Sequence, residues 1–468
     1  MPPPERWKTT VSNILILGAG RVGASVAEQL VHERYNVTIV DENPENLKPL
    51  ADRLDLRTVV GHAASPAVLA AAGAADADLL LAVTPLDELN MVACKIAYEL
   101  FNIPTRLARI RDPDLLARPE LFSENNFAID HVITPAQIVT DYLVSLVENP
   151  EALQVLDFAD GKAQLVATRV EAGAHMDGQD LATLNRLLPK IDRRVVSIYR
   201  KGHRIHPDGD TILQVGDEVF FLAATEHIRD VIKEMRGTEK PIKRITLSGG
   251  GNVGFRLAQA LENDYQVKII ESNRERANWL AEALSNTLVL RGDATDEALL
   301  ESEQVDRCDL YFALTSDDED NIMSSLLAKQ MGARKTIAII NRSRYVDLLQ
   351  GGKIDVAISP AIATIGSLLT HVRSGDVVAV HSLRRGAAEA MEIIVHGTSA
   401  TSRVIGKKLD DIKLPSGADL AAIVRGEKVL IAHGDTIIEA EDHVILFVDN
   451  KAHIREIEKL FAVKMGFF

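Results

Sequence analysis

Short apolar runs, unbroken at Ile14–Leu17 and Leu79–Val83 and interrupted only by Thr38 in Val37–Val40, punctuate the first part of the chain. Unbroken apolar runs of that length suit strands covered on both faces, as in a parallel sheet. Between them, Val22–Val31 and Glu88–Leu100 return apolar residues every three or four positions, the period of an amphipathic helix. Strand and helix in alternation predict the βαβ units of a doubly wound sheet. The rhythm then changes. Arg194–Tyr199 and Glu218–Ala223 are short strands associated with Gly-Asp turns and followed by a helix, Glu226–Met235, which predicts a smaller α+β domain.

The whole order then repeats. ILILGAGRVGASVAEQL from Ile14 matches ITLSGGGNVGFRLAQAL from Ile245, an offset of 231, and Gly61 pairs with Gly292 at the same offset. The acid of TIVDEN, Asp41, meets Glu271 of KIIESN, and ADLLLAVTPLDELN, ending at Asn90, meets CDLYFALTSDDEDN, ending at Asn321. Ile133-Thr134-Pro135 returns as Ile358-Ser359-Pro360. The smaller domains repeat too, HPDGDTILQVGDEVFFLA around Gly209 against IAHGDTIIEAEDHVILFV around Gly434. The fold class that follows is α/β, two Rossmann-like doubly wound parallel sheets, each followed by a small α+β domain in tandem duplication. The domains are 11–134 and 242–360 (large) and 150–236 and 377–463 (small). The halves divide in the charged, proline-bearing stretch Arg236–Lys243.

At 468 residues the chain holds three or four domains of the usual roughly 100–200 residues. Aromatics are only 4% of it, so the cores must be built from Val, Ile, Leu and Ala. A net charge of −15 argues against a nucleic-acid footprint and against adsorption to an anionic bilayer, and leaves room for a partner with a basic surface. Cys94 and Cys308, one in each half, read as small core residues of a reducing compartment. The histidines lack metal-ligand spacing, so no metal site is expected. No apolar run approaches the roughly 18–20 residues that span a bilayer, and MPPPERWKTT reads as a disordered lead-in rather than a signal peptide.

The first glycine motif, Gly18-Ala19-Gly20-Arg21-Val22-Gly23, follows a strand and opens a helix. Gly18 permits the tight turn, Gly20 admits a pyrophosphate to the backbone, and Gly23 lets helix and sheet pack closely. The helix N-terminus offers free N–H donors and a partial positive charge. Asp41, closing the second strand, is placed to accept from the ribose hydroxyls, and Glu42-Asn43-Pro44 holds no cation for a 2′-phosphate, which favours NAD over NADP. Thr84-Pro85 and Thr315-Ser316, at the carboxyl edge of the sheet, are ligand contacts, caps of the following helix, or both. His62, in the loop after the third strand, either lines the pocket or is incidental. The acidic run Asp317–Asp320 reads as a solvated helix start rather than a cation site.

The second copy, Gly249-Gly250-Gly251-Asn252-Val253-Gly254 with Glu271, keeps the same geometry. Arg274 and Arg276 follow its acid, so an adenosine mono-, di- or triphosphate fits there as well as NAD, and a ligand-free structural copy stays open. Arg109, after the fourth strand region, has Ile339 as its counterpart, so a phosphate clamp is expected at the first site alone. A hydride-transfer enzyme needs a second domain that brings substrate and an acid/base group to the nicotinamide. The small domains carry no repeated His/Asp, Tyr/Lys or Ser/His set. That argues against the alternative, an NAD-dependent oxidoreductase with an unrecognised substrate site.

The glycine motif, the strand-two acid, the Gly-x-Ala segment after strand three and the A-V-T…D-E-x-N-M-x-A stretch resemble the RCK (also called KTN) regulatory domains of potassium transport. With two complete units and LQVLDFADGKAQL opening the first small domain, the chain is similar to peripheral regulatory subunits of Trk-type uptake systems. The resemblance implies a regulatory subunit, not an enzyme. It implies a homo-oligomer, a tetrameric ring, on the cytoplasmic face of the cell membrane beneath a membrane-embedded potassium translocating subunit. Occupancy by NAD(H), and by ATP or ADP, would gate that partner. By resemblance the ligand contacts fall on Gly18, Ala19, Gly20, Arg21, Val22, Asp41, Thr84, Pro85 and Arg109, and in the second copy on Gly249, Gly250, Gly251, Asn252, Val253, Glu271 and Thr315. The chain departs from the pattern in its extension before Val11 and in Ile339.

Overall fold

The computed structural model describes residues 13–237, 240–342, 345, 354–373, 376–383 and 388–463; the lead-in and Val11 lie outside them. The first half runs β1 (Asn13–Leu17), α1 (Arg21–His32), β2 (Asn36–Asp41), α2 (Pro44–Ala51), β3 (Arg57–Val60), α3 (Pro66–Ala71), β4 (Leu79–Ala82), α4 (Asp87–Phe101), β5 (Thr105–Arg109), α5 (Pro113–Leu116) and β6 (His131–Ile133). These strands form one parallel, doubly wound sheet, as the alternating runs predict, in the order β3-β2-β1-β4-β5-β6. Helix α6 (Pro135–Glu148) then leads to an antiparallel sheet of order β10-β9-β11-β8-β7. Its strands are β7 (Ala152–Phe158), β8 (Ala163–Arg169), β9 (Arg193–Arg200), β10 (His203–Ile205) and β11 (Glu218–Ala224), with α7 (Leu181–Leu187) and α8 (Ile228–Arg236) beside it.

The second half repeats this with β12 (Arg244–Ser248), α9 (Asn252–Leu261), β13 (Gln266–Glu271), α10 (Arg274–Ala283), β14 (Leu288–Arg291), α11 (Glu297–Ser302), β15 (Leu310–Ala313), α12 (Asp318–Met331), β16 (Lys335–Ile339) and β17 (Val356–Ile358). Helix α13 (Pro360–Val372) crosses to β18 (Val377–Leu383), β19 (Ala388–Ile394), β20 (Ala418–Arg425), β21 (Lys428–Ile431), β22 (His443–Val448) and α14 (Ile454–Phe461). The sheet orders, β14-β13-β12-β15-β16-β17 and β18-β19-β22-β20-β21, restate those of the first half. Local rules set the element ends. Asn43, Ser65, Asp112, Asp180, Asn273, Asp296 and Asp317 cap helices with their side chains, and Pro44, Pro66, Pro113, Pro135 and Pro360 occupy first-turn positions. The helices expected from Glu226 and Ala452 begin at Ile228 and Ile454 instead. Each is entered through a 3₁₀ turn, and neither His227 nor His453 caps it.

The two halves exchange partners. Val219, Phe221 and Val231 of the first small domain share a core with Leu247, Leu257 and Phe312 of the second large domain. Met391, Leu446 and Phe461 of the second small domain share one with Ile16, Val26 and Leu47 of the first large domain. The crossing helices make this possible: α6 packs on α9, α13 packs on α1, and the two pack on each other. Gly366 lets α13 lie against β18, because a Cβ there would meet the Val380 carbonyl oxygen at 2.3 Å. The small domains meet through their sheets, with Arg194 donating to both carboxylate oxygens of Asp419 at 2.9 Å.

A buried cation anchors each exchanged contact. Arg373, at the end of α13, donates to Glu33 of the first large domain at 2.9 Å and to Glu389 at 2.7 Å, with Glu458 3.9 Å away. Burial alone would lower its pKa, yet Glu389 and Glu33 raise it and keep the guanidinium charged. Lys335, at the start of β16, donates to the carbonyls of Pro150 (2.7 Å) and Ala152 (2.5 Å), where α6 hands over to the first small domain. Burial pushes this ammonium down to about 7, against the opposing pull of Glu151 and Asp355. Cys94 and Cys308 are buried, and burial lifts their thiols to about 12 and about 11. Among the described residues no helix is long and apolar enough to cross a membrane.

Candidate functional site

The turn from β1 into α1 needs glycine at two positions for different reasons. Gly18 has φ +102, in the left-handed region, and a Cβ on it would come within 3.1 Å of the Val83–Thr84 backbone. Gly23 packs so closely under the turn that a Cβ would sit 1.9 Å from the Gly18 carbonyl oxygen. Gly20, in contrast, has nothing within 4 Å of its would-be Cβ and opens onto a cavity of about 640 Å³. Among the described residues no side chain caps α1, and Arg21 and Val22 of its first turn line that cavity.

Asp41 closes the turn from the second strand. Its Oδ2 accepts from the Ala19 amide at 2.6 Å, and its Oδ1 accepts from the Asn43 amide (2.9 Å) and the Asn46 amide group (3.1 Å). Three of roughly four lone-pair positions are thus in use, leaving about one for a ribose hydroxyl. Thr84 is pinned by Asn90, which accepts from the Thr84 amide at 2.9 Å and hydroxyl at 2.7 Å and donates to the carbonyls of Thr84 (3.2 Å) and Arg109 (2.9 Å). This amends the reading of Thr84 and Thr315 as helix caps: Leu86 is the N-cap position of α4, and Asp317 caps α12. Asn90 and Asn321 make the same clamp in both copies, a role not singled out beforehand although both residues stand at one repeat offset.

Arg109 reaches back from the end of β5 and donates to the Thr84 carbonyl at 2.6 Å. Its Nε is buried without a partner among the described residues, and burial, then Arg111, lowers its pKa. A guanidinium with a spare buried donor beside a glycine turn fits an anion. Arg111 is held by Asp87, whose Oδ2 accepts from the amides of Arg111 (2.6 Å) and Asp112 (2.9 Å). Of the expected contacts, Gly18, Gly20, Arg21, Val22, Asp41, Thr84, Pro85 and Arg109 line the cavity; Ala19 and Gly23 serve the turn behind it. His62 is not part of the lining: its ring accepts from the Ala64 amide. Sequence reasoning also missed a wall. Asn341, Pro360 and Ala361 of the second half close the cavity, because α13 crosses to lie on α1.

The second turn repeats the backbone. Gly249 has φ +100, a Cβ on Gly254 would lie 2.0 Å from the Gly249 oxygen, and Gly251 is open. Glu271 accepts from the amides of Gly250 and Asn273, both at 2.8 Å. The furnishing differs. A Cβ on Gly250 would meet Leu280 at 2.1 Å, which explains glycine where the first copy has Ala19. Arg276 stands where Asn46 stands in the first copy; it donates from Nε to the Gly250 carbonyl at 2.7 Å and lies 4.0 Å over the Trp279 ring. Ile339, in the place of Arg109, is buried apolar core. Asn252 and Val253 open α9, and Thr315 is clamped by Asn321. The run Asp317–Asp320 is not uniformly solvated: Asp318 is buried and accepts from the amides of Asn341 (2.7 Å) and Arg342 (2.8 Å).

Comparison with known proteins follows the same division. The sequence profile of the TrkA-N domain matches residues 14–135 and 245–360, and that of the TrkA-C domain matches 165–236 and 398–462. The Trk system potassium uptake protein TrkA of Halomonas elongata is 52% identical over 97% of this chain and 100% of its own length. That of Vibrio alginolyticus is 53% identical over 96% of this chain and 98% of its own. Among solved structures, the GsuK channel bound to NAD superposes with a TM-score of 0.60 at 18% identity, covering 97% of this chain and 79% of that one. The GsuK RCK domain gives 0.61 at 17% identity, covering 97% and 96%.

Proposed function

The chain belongs to the TrkA family, with two TrkA-N and two TrkA-C domains, and from that premise we propose that it is a cytoplasmic nucleotide sensor that gates a membrane-embedded potassium translocating subunit. NAD(H) occupies the first cavity, with its pyrophosphate on the Gly18–Gly20 turn and the start of α1, a ribose hydroxyl on Asp41 and an anionic group on Arg109. The second turn, with Arg276 at its ribose corner and no counterpart of Arg109, takes ATP or ADP. The working assembly is a homotetrameric ring held by its partner at the inner face of the membrane. The GsuK channel bound to NAD, which shares the fold, supports the choice of cofactor.

The observation that carries this reading is the composite cavity. A ligand touching both Gly20 of the first half and Ala361 of the second binds differently as the halves move, and only such a difference shifts a conformational equilibrium. Couplings of this kind are about 1–3 kcal/mol and add across a ring. A sensor fits the lining better than an oxidoreductase does, since the described lining holds no His, Lys, Tyr or Cys to move a proton beside a nicotinamide. The test is potassium flux in vesicles containing the membrane partner. Arg109→Ala should leave fold and assembly intact and lose the nucleotide dependence of flux, and NADH should persist unchanged on incubation. Flux that never depends on nucleotide, or steady NADH oxidation, would overturn the reading.

A further inference from the structure

A second cavity, of about 460 Å³, lies between the crossing helices α6 and α13, the first strand of each small domain, and β17. That volume is within the range of small-molecule sites, roughly 300–1,000 Å³. Its walls are largely apolar: Leu153 and Val155 on β7, Ile362 on α13, and Val380 on β18. One half-buried polar group in its wall is unused. Tyr142 of α6 lines the cavity, and its hydroxyl has no hydrogen-bond partner among the described residues. Burial, with no other cause, raises the pKa of this phenol.

The charge on the walls is one-sided. Asp141 and Asp157, both solvent-exposed, line the cavity, and each accepts only from a neutral glutamine, Gln137 at 2.7 Å and Gln164 at 2.8 Å, with no cation beside either among the described residues. The lining's remaining charges are already matched, Arg169 to Glu218 at 3.2 Å and Asp355 to Lys329 at 2.7 Å. His381 contributes no counter-charge: its ring sits 2.9 Å from the Asp157 carbonyl oxygen, and burial lowers its pKa. A phosphate-bearing ligand would meet two uncompensated carboxylates here, whereas an organic cation would be matched by them.

We propose that this cavity is a second regulatory site, distinct from the glycine turns, that takes a small amphipathic cation: an apolar body among the aliphatic walls, a hydrogen-bonding group on Tyr142 and an amine or ammonium head at one of the exposed carboxylates, Asp141 or Asp157. Its position gives it a role. Helix α13 presents Pro360 and Ala361 to the nucleotide cavity and Ile362, Ser367 and Thr370 to this one, so both ligands bear on one helix. The inference stands whether or not a nucleotide fills the first cavity.

The test uses the full chain and dansylcadaverine, a fluorescent apolar amine, against dansylglycine, its acidic counterpart. The amine should give a saturable emission increase and bind at least tenfold tighter than the acid, and saturating NADH should not displace it competitively. Ser367→Trp, which fills the cavity from the exposed face of α13, should abolish binding. The double variant D141N/D157N, which keeps the shape and removes the charge, should weaken it about tenfold, with melting temperature and NADH titration as controls of fold. No saturable binding, equal binding of the acid, competitive displacement by NADH, or unchanged binding in both variants would each overturn the proposal. If NADH fails to bind at all, the nucleotide reading falls and these amine results still decide this one.

Discussion

The two glycine turns share a backbone and differ in what surrounds it. Gly18 and Gly249 adopt the same left-handed conformation (φ +102 and +100), Gly23 and Gly254 pack against the same carbonyl, and an acid from the next strand holds the turn amide in both. Around this common frame, Arg109 is replaced by buried Ile339, and neutral Asn46 by Arg276 stacked on Trp279. The comparison extends to the joints. The first large domain seats the other half's small domain through Arg373, which stays charged at any attainable pH. The second seats its guest through Lys335, which does not. Duplication preserved what the backbone requires and left side chains at the ligand and at the joint free to diverge.

The largest expected difference is at the joints. Arg373→Ala should take the guanidinium from buried Glu33 and Glu389, leaving Lys451 as the counter-charge of Glu389 at 3.0 Å, and destabilise the contact by about 3–5 kcal/mol. Lys335→Met, which keeps volume and removes a disfavoured charge but takes the donor from the Pro150 and Ala152 carbonyls, should cost less, about 1–3 kcal/mol. Denaturant unfolding measures both, and equal losses would erase the contrast. Next come the turns. Gly20→Val puts a side chain into the open face over the cavity and should weaken NAD(H) binding at least a hundredfold (about 2.7 kcal/mol), while Gly251→Val should alter chiefly the response to ATP and ADP. Calorimetric titration that shows the two variants losing NAD(H) alike would make the turns equivalent after all.

A smaller effect concerns the ribose corner. With Asp41 there and only Glu42, Asn43 and Asn46 beside it in the lining, a 2′-phosphate meets an unscreened carboxylate, so NADP(H) should bind at least tenfold more weakly than NAD(H). NADP(H) binding as tightly would refute the assignment. The finest distinction is in pH. Lys335 has its folded pKa lowered from the ordinary 10.5 to about 7, so between those values the unfolded chain holds the extra proton and stability rises with pH. Arg373 contributes no such slope. Urea midpoints from pH 7 to 9 should therefore climb in the wild type and flatten in Lys335→Met; a slope surviving in that variant would have another origin.

Both turns were legible in the sequence because their constraints are local. A strand, glycines at fixed spacing, an opening helix and an acid at the next strand end lie within about thirty residues, and the repeat showed them twice. The Asn90 clamp was equally present in the repeat and was passed over, since an asparagine in a helix carries no motif by itself. Asn341, Pro360 and Ala361 had no such signal, because nothing in their neighbourhood says that α13 leaves its own large domain.

The sequence by itself determined the class of each unit: apolar runs without alternation need a sheet covered on both faces, and glycine in a left-handed turn admits few substitutes. It also determined the family, through the ordered pairing of two large and two small units. Only the tertiary structure decided which small domain sits on which large one, that the first nucleotide cavity is walled by both halves, and that one joint turns on an arginine and the other on a lysine. Those outcomes rest on packing between segments hundreds of residues apart. There, complementary surfaces and the burial of a few charges select one pairing among several that the same local pattern allows.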